Sequence, residues 1–383
     1  MENKVVFDLI SLQESPDSKF HGGGEYAKNI FFSLIENRRN FLCIYSNKLH
    51  LDDVYINACE RNNIELIGID SKYDIYQIMC RDDISAFYSA IPYDYYDVNF
   101  NGKKVIITIH GLRDIECPSD SFEYIYREGL ISKFKLLIKK LIYSDKKLIN
   151  NSKKKFEKIF DISNLKVLTV SEHSKYSILS CFPRLNSDSI KVVPAPHKYM
   201  ELKKEIEKEK RFLLISGNRW VKNNYRAIKA LDSLMDDRRI ANYKVTVVGW
   251  NNKKVHNKLN NKDNFSFIDY VNENRLNELF ISSEYFIYPT LNEGYGYPPL
   301  KAFESDTVVI SSCHTSIIEV CKDAALYFNP YSIIEMKNRI LNLVYDEKLK
   351  KKLILNGRDI IKNLPNSSQL TMDIINEIFE EKI

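Results

Sequence analysis

Arg219 and Lys222 stand three residues apart in Gly217-Asn218-Arg219-Trp220-Val221-Lys222-Asn223, directly after Phe212–Ser216, an apolar run that reads as a β-strand. A guanidinium offers a fixed fork and an ammonium a point charge, so the pair suits neutralising a diphosphate and stabilising it as it leaves. The competing fate is solvated surface charge. A second segment, Glu293-Gly294-Tyr295-Gly296-Tyr297-Pro298-Pro299-Leu300-Lys301-Ala302-Phe303-Glu304, follows a strand ending near Tyr288. Its glycines fall on the strand-to-helix turn, where backbone can approach an anion and the helix N-terminus favours one; a plain tight turn is the alternative. In the first half, Val105–Ile109 ends in His110-Gly111, placing an imidazole at the carboxyl end of a strand. There it can hydrogen-bond a sugar hydroxyl, share a developing charge, or serve structure alone. The Gly22–Gly24 run, with Gly23 and Gly24 as candidates for a phosphate or acceptor approach, is either that or a tight turn, and is not a G-x-G-x-x-G fingerprint.

These residues need strands whose carboxyl ends converge. Apolar runs at Val5–Ile10, Phe41–Tyr45, Ile64–Ile69, Ala86–Ile91, Val105–Ile109, Val167–Val170 and Ile190–Val193 alternate with helix-like stretches, the pattern of parallel strands joined by crossover helices. The alternation resumes at Phe212–Ser216, Lys244–Val248, Phe265–Ile268, Tyr285–Tyr288 and Thr307–Ser311, after a charged linker at Lys203–Arg211. The expectation is an α/β protein of two Rossmann-like doubly wound domains, 1–195 and 196–365, facing across a cleft, with a C-terminal helix at about 366–383 packing back on the first. At 383 residues with 44% apolar content, two cores can be filled.

Net charge is only +5, from 56 basic against 51 acidic residues, which argues against nucleic acid as a partner. Seven cysteines with no C-x-x-C pair fit neither a disulfide framework nor a zinc site, and the expected location is cytoplasmic. Neither a leader nor an apolar stretch long enough to span a bilayer is visible. The segment Ile131–Ile142 sets Ile131, Phe134, Leu137, Ile138, Leu141 and Ile142 on one helical face, with Lys133, Lys135, Lys139 and Lys140 on the others. Such a helix either covers a core or lies on an anionic membrane surface, the latter giving a peripheral location on the inner face of the membrane.

Taken together, the segments resemble family 4 retaining glycosyltransferases of the GT-B fold, over nearly the whole chain and most specifically from Phe212 to Pro330. Glu293–Pro298 resembles that family's E-G-F-G-x-P, Arg219 with Lys222-Asn223 its basic phosphate pair, and Thr315–Pro330 its closing donor-domain segment. Thr108-Ile109-His110 is similar to its T-x-H, and Val170-Ser171-Glu172-His173-Ser174 to its V-S-x-x-S. The resemblance implies a nucleotide-sugar donor, GDP-mannose or a UDP- or dTDP-sugar, and a glycan or lipid-linked glycan acceptor in bacterial surface polysaccharide synthesis. It implies no cofactor and no metal, in keeping with the lack of a D-x-D pair. By it His110 meets the transferred sugar, Arg219 and Lys222 the phosphates, and Glu293 the sugar hydroxyls. Gly23, Gly24, Asn218, Tyr270, Gly294, Tyr295, Gly296, Tyr297 and Lys301 complete the donor site, with Tyr270 near the base.

The chain departs from the family at Lys301, where a second glutamate is usual. An ammonium can donate to ribose oxygens but cannot accept from hydroxyls; Glu304, one turn on, can pair with Lys301 but is not an evident substitute for that glutamate. Gly111, Asp306 and Val308 are further departures. A weakened homologue that binds or assembles with another transferase is the alternative function, and an epimerase or phosphorylase of the same architecture a second enzymatic one.

Overall fold

The computed structural model describes residues 3–13, 22–92, 95, 97–200 and 206–379. It divides into two compact units: Met1–Leu112 with Asn150–His197 and Pro365–Ile383, and Arg113–Ile149 with Lys198–Leu364. Each is built on one wholly parallel sheet, so both are Rossmann-like α/β domains.

In the first unit the strands are β1 (Lys4–Asp8), β2 (Phe41–Ser46), β3 (Leu66–Ile69), β4 (Ile84–Ser89), β5 (Lys104–Ile109), β6 (Leu165–Thr169) and β7 (Ile190–Val192), ordered β3-β2-β1-β4-β5-β6-β7. Central strands such as β1 and β5 are buried along nearly their whole length, as expected where helices cover both faces of a parallel sheet. The helix Ser367–Phe379 belongs to this unit. Its Glu377 pairs with Lys166 and Lys191, and Lys104 donates to the Glu377 carbonyl at 3.1 Å.

The second unit holds β8 (Glu209–Leu214), β9 (Lys244–Val248), β10 (Phe265–Ile268), β11 (Ser283–Tyr288), β12 (Val308–Ser312) and β13 (Ala325–Phe328), ordered β10-β9-β8-β11-β12-β13. Two differences from the sequence reading concern strand ends. β8 begins at Glu209, inside the charged stretch assigned to the linker, of which residues 203–205 lie outside the described residues. β13 was not anticipated; it pairs with β12, and its Ala325–Phe328 run was read only as part of the segment Thr315–Pro330.

A larger correction concerns residues 113–149, which the sequence reading placed in the first domain and which cluster with the second unit. Long-range contacts explain it. Asp120 takes two hydrogen bonds from Arg226, at 3.0 and 2.8 Å, with both side chains almost fully buried. Arg226 also lies over the Phe122 ring at 4.6 Å, and Tyr126 stacks on Trp250 at 4.6 Å. Asp120→Ala strands the Arg226 charge in the interior and is expected to destabilise by about 3–5 kcal/mol. Asp120→Leu combined with Arg226→Met removes both charges and is expected to cost much less; denaturant melts of the two variants check the difference.

Candidate active site

The strand order of the second sheet reverses between β8 and β11: later strands run outward from β8 through β9 to β10, and from β11 through β12 to β13. Crossover helices diverge at such a switch point and leave a crevice at the carboxyl ends of the two strands. The segments that follow those strands are the two singled out in the sequence.

After β8 the chain turns tightly. Ser216 has φ 52°, Gly217 donates to the Val248 carbonyl at 2.9 Å, and Asn218 to that of Gly249 at 3.0 Å. Gly217 is required by contact, since a Cβ there would lie 2.5 Å from Cβ of Trp250. One 3-10 turn, Trp220–Lys222, follows, closed by Asn223 in the left-handed region at φ 59°. The Asn223 side chain donates to the carbonyls of Pro289 and Pro330 at 2.9 and 2.8 Å, tying this turn to the segment after β11.

Lys222 and Glu293 form an ion pair at 2.5 Å with side chains only 9% and 15% exposed. Lys222 also donates to the Tyr288 hydroxyl at 2.9 Å, and Thr290 donates to the same Glu293 oxygen at 2.7 Å. Burial drives the Glu293 carboxyl upward, but the Lys222 charge and hydrogen bonds from Lys222, Thr290 and Tyr288 outweigh it and hold the group below its ordinary value. Burial lowers Lys222, with the Glu293 charge opposing. The backbone is held as well: Glu293 N–H donates to Thr315 Oγ1 at 3.0 Å, and Ser316 Oγ donates to the Glu293 and Tyr295 carbonyls at 3.0 and 2.8 Å. Tyr288, Thr290, Thr315 and Ser316 were not among the sequence candidates. For Thr290 a signal existed, a hydroxyl at the end of a strand and three residues before the acid.

Arg219 differs from Lys222. Half-buried, its guanidinium is held by no hydrogen bond or ion pair among the described residues. Its charge acts on Lys222, Tyr270 and Tyr288, so it stands among them. Tyr270 donates to Asn218 Oδ1 at 2.7 Å, and its ring lies within 3.1 Å of where a Cβ on Gly249 (φ 79°) would sit. Gly296 has φ 117° and caps the helix Tyr297–Glu304. The amides of Tyr295 and Gly296 donate to no acceptor among the described residues. Beyond Tyr297, however, the first turn offers less than the sequence reading supposed, because Pro298 and Pro299 have no N–H.

Lys301 points elsewhere. It bonds Glu273 and Asn277, both at 3.3 Å, on the helix Glu273–Ser282. The Glu304 pairing that the sequence left possible is not formed; Glu304 accepts from the Met200 amide at 3.3 Å.

The remaining candidates lie in the first unit. His110 follows β5, and its Nε2 lies 3.1 Å from the Ala90 carbonyl. A carbonyl only accepts, so Nε2 carries the proton and Nδ1 of the neutral ring is the acceptor. Tyr26 meets the imidazole edge-on at 4.9 Å. Gly23 and Gly24 are in the first turn of the helix Gly22–Glu36 rather than in a loop before it, one turn or less from Tyr26. The Val170–Ser174 motif also acquires a role: Ser171 caps the helix Glu172–Cys181, and Ser174 Oγ donates to the His110 carbonyl at 3.1 Å. At the switch point of this sheet, between β1 and β4, Asp8 accepts from Ser89 at 2.6 Å and burial pushes its carboxyl up to about 6.

Residues 198–360 match the Glycosyl transferases group 1 family. The matched segment lies within the second unit, which is thus similar to group 1 glycosyltransferases over this stretch. The matched segment contains Arg219, Lys222, Glu293 and Lys301. The O-antigen chain mannosyltransferase RfbU of Salmonella typhimurium is 26% identical over 243 residues, 62% of this chain, and the match spans 60% of RfbU's own length. Among solved structures, WaaG, a glycosyltransferase involved in lipopolysaccharide biosynthesis, matches with TM-score 0.67 at 15% identity over 98% of this chain and 100% of that one. HepE of Anabaena in complex with UDP and glucose matches with TM-score 0.67 at 12% identity over 99% and 100%. The fold class is that of these GT-B neighbours, two parallel-sheet Rossmann-like domains.

The ion pair predicts a reversal of pH dependence. In the native protein the depressed Glu293 contributes stability that is present above the unfolded pKa and lost as pH falls through the lower, folded one. Lys222→Met leaves burial opposed only by the Thr290 and Tyr288 hydrogen bonds, so the folded pKa rises and stability falls as pH increases. The variant is expected to lose about 3–5 kcal/mol near neutral pH and to recover part of it in mild acid. Denaturant melts across that range check this, with Lys222→Met/Glu293→Gln losing the pH dependence.

Proposed function

We propose that the protein is a retaining, metal-independent family 4 glycosyltransferase. It moves a sugar from a nucleotide-sugar, a mannosyl donor first among candidates, to a glycan or lipid-linked glycan in surface polysaccharide synthesis. One observation carries the reading. At the switch point of the second sheet the two cations are divided, Lys222 being neutralised by Glu293 while Arg219 is left without a protein partner among the described residues. An uncompensated guanidinium after β8, and amides after the adjacent strand β11 that donate to nothing among the described residues, suit a diphosphate. The O-antigen mannosyltransferase relative supports the sugar and acceptor class, and the neighbour crystallised with UDP and glucose supports a nucleotide-sugar as partner.

In this mechanism Arg219 and the Tyr295 and Gly296 amides take up charge as the donor's sugar–phosphate bond breaks. The acceptor hydroxyl enters on the face the diphosphate leaves, and its proton passes to a diphosphate oxygen. Glu293, held ionised by Lys222, accepts hydrogen bonds from sugar hydroxyls; Lys222 acts through Glu293. His110 is assigned to the transferred sugar, with Gly23 and Gly24 beside it, and Tyr270 and Asn218 to the base. Arg219→Ala is expected to weaken nucleoside-diphosphate binding by about tenfold to a hundredfold, a loss of one charge-assisted contact, with the melting temperature of the free protein unchanged. Calorimetry against UDP, GDP and dTDP checks it; unchanged affinity for all three overturns the assignment.

The salt bridge from Lys301 to Glu273 favours a second reading, a transferase weakened at the donor ribose. Restoring the family's residue is not a simple rescue here, because Lys301→Glu sets a carboxylate against Glu273. That variant is expected to lower the melting temperature by a few degrees, roughly the cost of converting an attractive pair to a repulsive one. Lys301→Glu with Glu273→Gln is expected to recover it. Donor turnover by the unmodified protein excludes the weakened reading, and turnover gained only in the double variant supports it.

A further inference from the structure

The helix Leu130–Ile142 does not cover a core. Of its thirteen residues only Leu136 is buried, while Leu130, Leu141, Ile131 and Phe134 are 87%, 77%, 74% and 62% exposed. Leu137, Ile138 and Ile142 are exposed as well. At about 100° per residue these side chains fill one arc of about 140°, and Leu136 falls nearly opposite its centre. The helix therefore seats on the protein by its narrow side and turns its broad apolar face outward. A surface helix of a globular domain has the reverse arrangement.

Charge is distributed to match. The helix carries four lysines and no acidic residue. Lys135 borders one edge of the apolar arc and Lys133 the other, where long side chains can lay their methylenes along apolar surface and extend their charge. Lys140 faces back and donates to the Asp120 carbonyl at 2.6 Å, next to the buried Asp120–Arg226 pair that anchors the segment. Among the described residues no helix is long and apolar enough to cross a membrane.

We propose that this helix docks the protein on an anionic lipid bilayer, lying in the interface with Ile131, Phe134, Leu137 and Leu141 among the acyl chains and the flanking lysines on acidic headgroups. A lysine-only border around an apolar arc complements such a surface. A second copy of this helix would instead bring lysine borders against lysine borders. The proposal does not rest on the sugar-transfer reading, because binding is measured without donor or acceptor.

The test is co-sedimentation of the full chain with phosphatidylcholine vesicles, with and without phosphatidylglycerol. The protein is expected to sediment with anionic vesicles, weakly with neutral ones, and less as salt is raised. Ile131→Ser/Phe134→Ser/Leu141→Ser is expected to weaken partitioning by tenfold or more, roughly the loss of three buried apolar side chains. Lys133→Gln/Lys135→Gln is expected to weaken it by about fivefold per lysine. Both variants should keep the native melting temperature. Failure of the native chain to bind anionic vesicles overturns the proposal, as does undiminished binding by the triple serine variant. So does a lipid-free oligomer, seen by sedimentation velocity, that the serine variant dissolves.

Discussion

The Lys222–Glu293 pair is the interaction on which the second unit's site depends. Two charges withdrawn from water cost several kcal/mol each, and the mutual attraction offsets this only when geometry and further hydrogen bonds are good. Here Thr290 and Tyr288 supply those bonds, and Asn223 locks the backbone of one partner to the segment carrying the other. Because the pair bridges the ends of adjacent strands β8 and β11, it also holds the switch point in shape. Its electrostatic consequence is that one cation is neutralised within the protein while Arg219 is held by no partner among the described residues.

The same construction, strand end plus hydrogen-bonded support, recurs in the first unit with different chemistry. His110 emerges from β5 with its ring nitrogen on the Ala90 carbonyl and its own carbonyl held by Ser174. A motif marked in the sequence only by family resemblance, Val170–Ser174, thus acts on the backbone that follows a neighbouring strand. In both sheets, side chains that can do chemistry are placed by strands and kept there by neighbours that cannot.

Residues 113–149 join two features that would otherwise be unrelated. The segment is pinned by Asp120 on Arg226 and by Tyr126 stacked on Trp250. That anchorage lets the helix Leu130–Ile142 bury only Leu136, with Lys140 bonded to the Asp120 carbonyl, and leave its apolar arc uncovered. A helix with so little buried area depends on its attachment at the N-terminal side for a defined orientation.

Much was legible before the structure. β-branched runs bounded by glycine and polar loops located twelve of the thirteen strands, their ends shifted by a few residues, because parallel strands buried on both faces must be apolar along their length. Gly217 and Gly296 mark places where only glycine fits the backbone, and His110, Arg219 and Glu293 follow strand ends that sequence alone could place. What remained hidden lies in pairs far apart along the chain. Lys222 and Glu293 are separated by 71 positions, and Arg226 and Asp120 by 106. Lys301 chose Glu273 over nearby Glu304, and an amphipathic helix turned its apolar side outward, although its periodicity is the same either way. Local sterics and side-chain period act over a few residues and so are written in the sequence; which strands are neighbours, and which charge meets which, is decided only when the sheets close and distant residues compete for the same partners.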